Sequence, residues 1–257
     1  MAELPDLTVF AQILGRRFKG QVLETLEVSV AKKINVNGKE LKRTLEGRTL
    51  ESIKREGKTL QLNFSGDQVL GLHLMLRGEL VLINQDAPPK FQILGFHFKG
   101  GNAFALIDLQ KQAKPTLNPT KLEAPDALDL KESDFIALLA KKRSLIKTLL
   151  MDQHLIRGIG NSYSDEILYH AGISPFSISK SIPEKQVKKL YKSIHTVLTQ
   201  AITEIARENS DELTGELRDF MRIHNPQLQE TAKGEAIMVE TLGGRKTYFT
   251  KGQAHFG

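Results

Sequence analysis

Residues 158–161, Gly158-Ile159-Gly160-Asn161, place two glycines and a side-chain amide at the start of a helical pattern. Glycines let a backbone approach a ligand closely, and the first turn of a helix has N–H groups without intrahelical partners. Such a turn is a ready anion site, because those N–H groups and the helix dipole both favour negative charge. Asn161 or Ser162 reads as the cap, with Asp165 and Glu166 in the first turns, where acids suit the dipole. Asn161 adds an amide aimed the same way, and a DNA phosphate is the natural occupant. A helix–turn–helix that uses its glycines only for tight packing fits these few residues equally well.

The elements that must position this turn follow from periodicity. In the first hundred or so residues apolar and polar positions alternate between turn signals, at 22–30, 59–64, 69–76, 79–83, 91–98 and 103–107, which predicts a β-rich domain. Two helices interrupt it: Leu7 to Phe18 after Asp6, with Pro5 setting the chain's entry, and Lys39 to Leu45 after a cap at Asn37. Residues 113–130 hold three prolines and no sustained period, and read as a linker. Helical patterns follow: Asp134 to Lys142 capped by Ser133, Ser144 to Gln153, the glycine-led segment, and Pro183 to Glu208, whose apolar residues recur every three or four. Ala236 to Thr250 reads as a hairpin around Gly243-Gly244, with Arg245 at its tip.

Composition narrows the class. A chain of 257 residues can bury one large core or two modest ones, and a net charge of +6 suits a polyanionic partner. Clusters such as Arg16-Arg17-Phe18-Lys19, Lys141-Lys142-Arg143 and Lys188-Lys189 are individually ordinary solvated faces and matter only together. The absence of cysteine removes disulfides and thiolate metal sites, and the seven histidines show no tight metal spacing, so no metal and no cofactor is expected. No segment reads as an export signal or a membrane span, so the expectation is a cytoplasmic protein, in bacterial cytoplasm or nucleoid, with no membrane partner.

The ordered string GIGN-x-Y-x-DE-x-L-x-x-AGI-x-P over residues 158–175, with Leu149-Leu150-Met151-Asp152-Gln153 before it, closely resembles the helix–two-turns–helix element of the formamidopyrimidine-DNA glycosylase and endonuclease VIII family. The resemblance extends from Glu3-Leu4-Pro5 to Gly244-Arg245-Lys246-Thr247-Tyr248. It implies an α+β fold: an N-terminal β-sandwich catalytic domain with flanking helices (1–112), the linker (113–130), a helix–two-turns–helix domain (131–225) and a β-hairpin finger (226–257). The finger is zincless, since the family's four cysteines are missing.

The resemblance also assigns chemistry residue by residue. The family's nucleophile is an N-terminal proline exposed by loss of the initiator Met, followed by a glutamate. Here Ala2 and Glu3 stand in those places. Removal of Met1 would leave a primary amine with a pKa near 8, able to form a Schiff base with a sugar aldehyde carbon. Glu3 would donate and shuttle protons. Asp6 stands where the family commonly has Glu. Lys58 falls on the family's phosphate-binding lysine, Arg245 on its hairpin arginine, and Asn161 with Gly160 on its helix-start grip; His73 is a further phosphate contact. Leu76 takes the place of an inserted Met, and Lys111 is the nearest basic substitute in a loop, Asp108 to Ala113, that lacks the family's Arg-Phe pair.

The function implied is base-excision repair: a DNA glycosylase with abasic-site lyase activity on oxidised bases, acting as a monomer on double-stranded DNA that contains damaged bases or abasic sites. The alternative is a protein that binds damage or abasic sites on the same scaffold without turnover. A third possibility is a binder of RNA or of a protein complex, which predicts little preference for lesion-bearing over undamaged duplex.

Overall fold

A computed structural model describes residues 1–83, 88–209, 213 and 217–257. The chain divides into two compact units, Met1–Lys121 with Ile205–Glu216, and Leu122–Glu204 with Leu217–Gly257.

The N-terminal unit is a β-sandwich. Helix α1 (Leu4–Phe18) precedes β1 (Leu23–Val28), and α2 (Gly38–Leu45) separates that strand from β2 (Leu50–Glu56), β3 (Thr59–Phe64), β4 (Gln68–His73), β5 (Glu79–Leu82), β6 (Gln92–Phe98), β7 (Ala103–Ile107) and β8 (Lys114–Leu117). Two four-stranded antiparallel sheets result, in the orders β1-β6-β7-β5 and β2-β3-β4-β8. Alternation explains the faces: β3 buries Leu60, Leu62 and Phe64 and leaves the residues between them part-exposed. In the core, Phe96 stacks on Phe104 with centroids 4.5 Å apart, and Phe18 of α1 meets Phe104 at 4.9 Å. Each such ring contributes about 2–3 kcal/mol by burial. Asn37 caps α2 as its sequence suggests, accepting the Glu40 N–H at 2.9 Å.

The expected linker is partly sheet. Residues 114–117 form β8 and pair with β4, so the β-domain extends beyond residue 112. Strand β2 was not marked by alternation, because its side chains are only graded in burial. The pattern at 69–76 ends as strand at His73, where Leu74 turns instead to accept the Gly78 N–H at 2.9 Å.

The C-terminal unit is helical with a terminal hairpin: α3 (Glu132–Lys141), α4 (Ile146–Met151), α5 (Asn161–Ala171), a 3₁₀ turn (Ser179–Ser181), α6 (Glu184–Glu208), β9 (Met238–Leu242) and β10 (Arg245–Phe249). Lys131, not Ser133, occupies the cap position of α3, two residues earlier than the side-chain signal predicts. The cap position of α5 is Gly160, with no side-chain cap, rather than Asn161 or Ser162. Asp165 and Glu166 lie within the first turns as expected, although the first turn itself holds no acid. They lie one turn further in and are buried, and both are used as hydrogen-bond acceptors inside the unit. The hairpin turns through Gly243 and Gly244, both at positive φ, which the tight two-residue connection between Leu242 and Arg245 requires. Among the described residues no helix is long and apolar enough to cross a membrane.

Candidate active site and nucleic-acid interface

Strand register brings several of the N-terminal candidates to one end of the sandwich. His73 closes β4 opposite Lys114, which opens β8, and Lys58 occupies the two-residue turn between Glu56 and Thr59. In the other sheet Glu79, Gln92 and Ile107 are mutual neighbours at an end that the 74–78 and 108–113 loops join to His73 and Lys114. Lys58, His73, Leu76 and Lys111 therefore share that rim.

Helix α1 delivers Ala2 and Glu3 to it. Glu3 is the helix cap and forms a reciprocal capping box with Asp6, whose Oδ2 accepts the Glu3 N–H at 2.9 Å. Both side chains are essentially buried, and Ala2 is 8% exposed. Arg55 ties the helix to the Lys58 turn: its Nε donates to Thr8 Oγ1 at 2.8 Å and its Nη1 to the Gly57 carbonyl at 3.3 Å. Ala2 also lines a cavity of about 360 Å³ with Leu74, Leu76, Arg77 and Glu79. Gly78 holds that loop closed, since a Cβ there would collide with the Leu74 carbonyl oxygen.

The rim is electropositive. Burial, and then the charges of Lys58 and Lys114, push His73 below its ordinary value of 6.5. His73 Nδ1 accepts the Met75 N–H at 3.0 Å, which fixes the neutral ring with its proton on Nε2. A neutral imidazole between two ammonium groups is a donor to an anion that does not add to the local charge.

Leu76 is 61% exposed, a large apolar side chain left in water on this rim. Lys111 is exposed at positive φ in a loop wound around the buried Asp108 carboxylate, which accepts the N–H groups of Gln110, Gln112 and Ala113 at 2.7–2.8 Å. The signal for this organising role is an Asp at a strand end, which can turn the chain on its own carboxylate.

In the C-terminal unit the grip is assembled by a different device. Gly158 has φ +104, so the approach to α5 needs glycine there, and the uncapped helix start retains its positive end. The Asn161 amide does not point outward as expected. Its Nδ2 donates to the Lys246 carbonyl at 2.9 Å, which fastens the hairpin to the helix start. Arg245, next to that carbonyl, is exposed at the beginning of β10. Beneath them Lys147, 1% exposed, places Nζ 2.7 Å from Asp165 Oδ1 and 2.8 Å from Thr247 Oγ1. Asp165 Oδ2 accepts from the Tyr248 N–H at 3.0 Å and lies 2.7 Å from His224 Nδ1. Glu166 accepts the N–H groups of Arg222, Ile223 and His224 at 2.8–3.1 Å; burial raises its pKa and those hydrogen bonds oppose the shift. Locally this network is marked by a lone Lys in the apolar run Ile146 to Met151, and its other members are remote in the chain.

A metal does not fit the hairpin. The chain has no cysteine, and among the described residues no group of three or more His, Asp or Glu side chains is placed to hold an ion. Docking through Lys147, Asn161 and Asp165 holds β10 instead.

Residues 1–114 match the formamidopyrimidine-DNA glycosylase N-terminal domain and residues 123–211 the formamidopyrimidine-DNA glycosylase H2TH domain. A formamidopyrimidine-DNA glycosylase of Streptococcus mutans is 30% identical, with 97% of each chain covered. One from Carboxydothermus hydrogenoformans is 32% identical over 79% of this chain and 78% of that one. Lactococcus lactis Fpg in complex with abasic-site DNA has a TM-score of 0.88 to this fold at 27% identity, covering 97% of this chain and 98% of that one. The Lactococcus lactis FPG (MutM) complex with Fapy-dG DNA gives the same TM-score and identity over 96% and 98%.

Proposed function

The chain belongs to the formamidopyrimidine-DNA glycosylase family, a family of base-excision repair of damaged DNA bases, and on that premise we propose that its own nucleophile is the α-amine of Ala2. With Met1 attached that nitrogen is an amide and cannot attack, so removal of the methionine is the activating step. The freed amine adds to the sugar C1′ as the bond to the damaged base breaks, and the base leaves with a proton. Glu3 protonates the ring oxygen as the sugar opens, which leaves a protonated Schiff base. The iminium acidifies the adjacent C2′–H; loss of that proton expels the 3′ phosphate, and water then releases the sugar fragment and restores the amine.

In this reading the substrate is double-stranded DNA containing an oxidised base or an abasic site. Lys58, His73 and Lys111 contact its phosphates from the β-sandwich, and Gly160 and Arg245 do so from the helical unit, with Asn161 positioning the hairpin. Leu76 enters the space left by the flipped nucleotide. The observation that carries the proposal is the placement of Ala2 and Glu3 at the same sandwich end as Lys58 and His73. A primary amine on a flexible residue lacks the ring that stiffens proline, so positioning falls to the Glu3–Asp6 capping box.

Borohydride quenching with an abasic duplex tests this, run beside intact-mass measurement of the purified chain. A chain lacking Met1 becomes covalently joined to DNA, and a chain that keeps Met1 does not. Failure of the Met1-free chain to be trapped removes the catalytic reading and leaves a protein that binds damage without turnover.

A further inference from the structure

Two of the basic clusters that are ordinary taken singly, Lys141-Lys142-Arg143 and Lys188-Lys189, are joined in the helical unit by the 3₁₀ turn. The Lys180 N–H donates to the Lys142 carbonyl at 3.0 Å, which sets the exposed Lys180 against the first cluster. Helix α6 begins three residues after that turn. Along it Lys185, Lys188, Lys189 and Lys192 follow at i, i+3, i+4 and i+7, a spacing that aligns them on one side of a helix. All four are exposed, while Val187, Leu190 and Ile194 are buried. With Glu184 and Gln186 the four lysines frame an open recess of about 640 Å³. Among the described residues only Lys188 of the four has an ion-pair partner, Glu184 at 2.7 Å, so the stripe keeps most of its charge.

This stripe and the grip lie at opposite ends of α5. Lys189 Nζ is 3.5 Å from the place a Cβ would take on Gly172, the left-handed C-cap of α5, whereas Gly160 and Asn161 stand at the start of that helix. Its 11 residues separate the two ends by about 16 Å, roughly two Debye lengths at physiological salt. Phosphates held at the α5 start are therefore screened from these lysines, whose charge is open to a different polyanion. From Lys185 to Lys192 is about 10 Å along the helix axis, the length of about three phosphate steps on one DNA strand. None of the exposed large apolar side chains among the described residues falls within 141–143 or 180–192. A protein partner or a membrane surface is held through apolar anchors, whereas duplex phosphates are held by charge alone.

We propose that this face binds a second segment of double-stranded DNA while the α5 start holds the first, so that one chain bridges two duplexes. The proposal rests on the DNA-binding reading of the α5 start and not on the Ala2 chemistry.

To test it, a duplex carrying a tetrahydrofuran abasic analogue is immobilised, loaded with the chain and offered a fluorescent undamaged duplex; sedimentation of the same components counts chains and duplexes in the complex. Wild type captures the second duplex as one chain with two duplexes, and log affinity for it falls against log salt with a slope of about −3.6, four contacts at about 0.9 each. The combined variant Lys185→Gln, Lys188→Gln, Lys189→Gln and Lys192→Gln keeps its melting temperature and its affinity for the immobilised duplex, and captures the second at least about tenfold less. The Lys→Arg combination at the same four positions keeps capture, because charge is retained. Equal capture by wild type and the Gln variant, or capture only in complexes of two chains, overturns the proposal and leaves the repair reading standing. Lysine-dependent binding of a glutamate-rich peptide or of phosphatidylserine vesicles, with no capture of duplex, also overturns it and makes the face a protein or membrane contact. If wild type shows no preference for the abasic duplex, the damage reading falls; the second site is then scored by the salt slope on undamaged duplex, and it falls too if the Gln variant leaves that slope unchanged.

Discussion

Lys147 and Asp165 form an ion pair with Nζ 2.7 Å from Oδ1 and with neither side chain more than 1% exposed. The pair joins α4 to α5, and through Thr247 and the Tyr248 N–H it reaches β10. In a buried setting the Coulomb gain must offset two desolvation costs, so such a pair contributes geometry more than net stability. Here the geometry is that of Lys246, whose carbonyl also takes the Asn161 amide, and hence of Arg245 beside it.

Replacing one partner exposes the asymmetry. Lys147→Met leaves Asp165 charged and short of a counter-ion, and should lower the unfolding free energy by about 3 kcal/mol in urea titrations. Adding Asp165→Asn removes the stranded charge and should recover part of that loss. A single-variant loss below about 1 kcal/mol would show that the pair is not needed to dock the hairpin.

His73 gives a pH dependence. Its folded-state value lies below 6.5, so its neutral form is the one the fold favours. The stability it contributes is fully present above about pH 6.5, the unfolded value, and is lost as pH falls through the lowered folded value. Protonation also removes the Nδ1 lone pair that holds the Met75 N–H. An NMR titration of the ring should give a midpoint below 6.5, and Lys58→Gln should move it upward by removing a neighbouring positive charge. A midpoint at or above 6.5 in the wild type would break the electrostatic account of this rim.

Arg245 and Asn161 should separate cleanly. Arg245 is exposed, so Arg245→Ala should change stability by no more than about 0.5 kcal/mol while reducing the slope of log affinity for DNA against log salt by about one. Asn161→Ala cuts the link to Lys246, and should cost about 1 kcal/mol of stability as well as affinity. An unchanged salt slope for Arg245→Ala would exclude a phosphate contact by that side chain.

Much of this was legible in the chain because it depends on neighbours a few residues apart. Asn37 before Glu40 is a cap whatever surrounds it, and Gly243-Gly244 turns a hairpin because few other residues tolerate two successive positive φ angles. The ordered motif from Gly158 to Pro175 identified the family for a similar reason: many spaced residues must agree at once. The role of the α5 acids is not legible locally, because their partners are remote. Asp165 and Glu166 look like dipole-complementing acids near a helix start until Lys147, Tyr248 and the backbone of 222–224 are brought against them.

By itself the sequence determined the order of elements, the family, the charge that suits a polyanion and the lack of any thiolate metal site, since these follow from local propensity, composition and motif. Tertiary structure decided which polar groups are buried and which apolar ones are not. Strand register, which no local pattern specifies, put Lys58 and His73 on one rim; a remote carbonyl turned the Asn161 amide inward, and loop closure around Asp108 left Leu109 in water beside Phe91. Burial is a property of where a side chain ends among all the others, and only the folded chain contains that information.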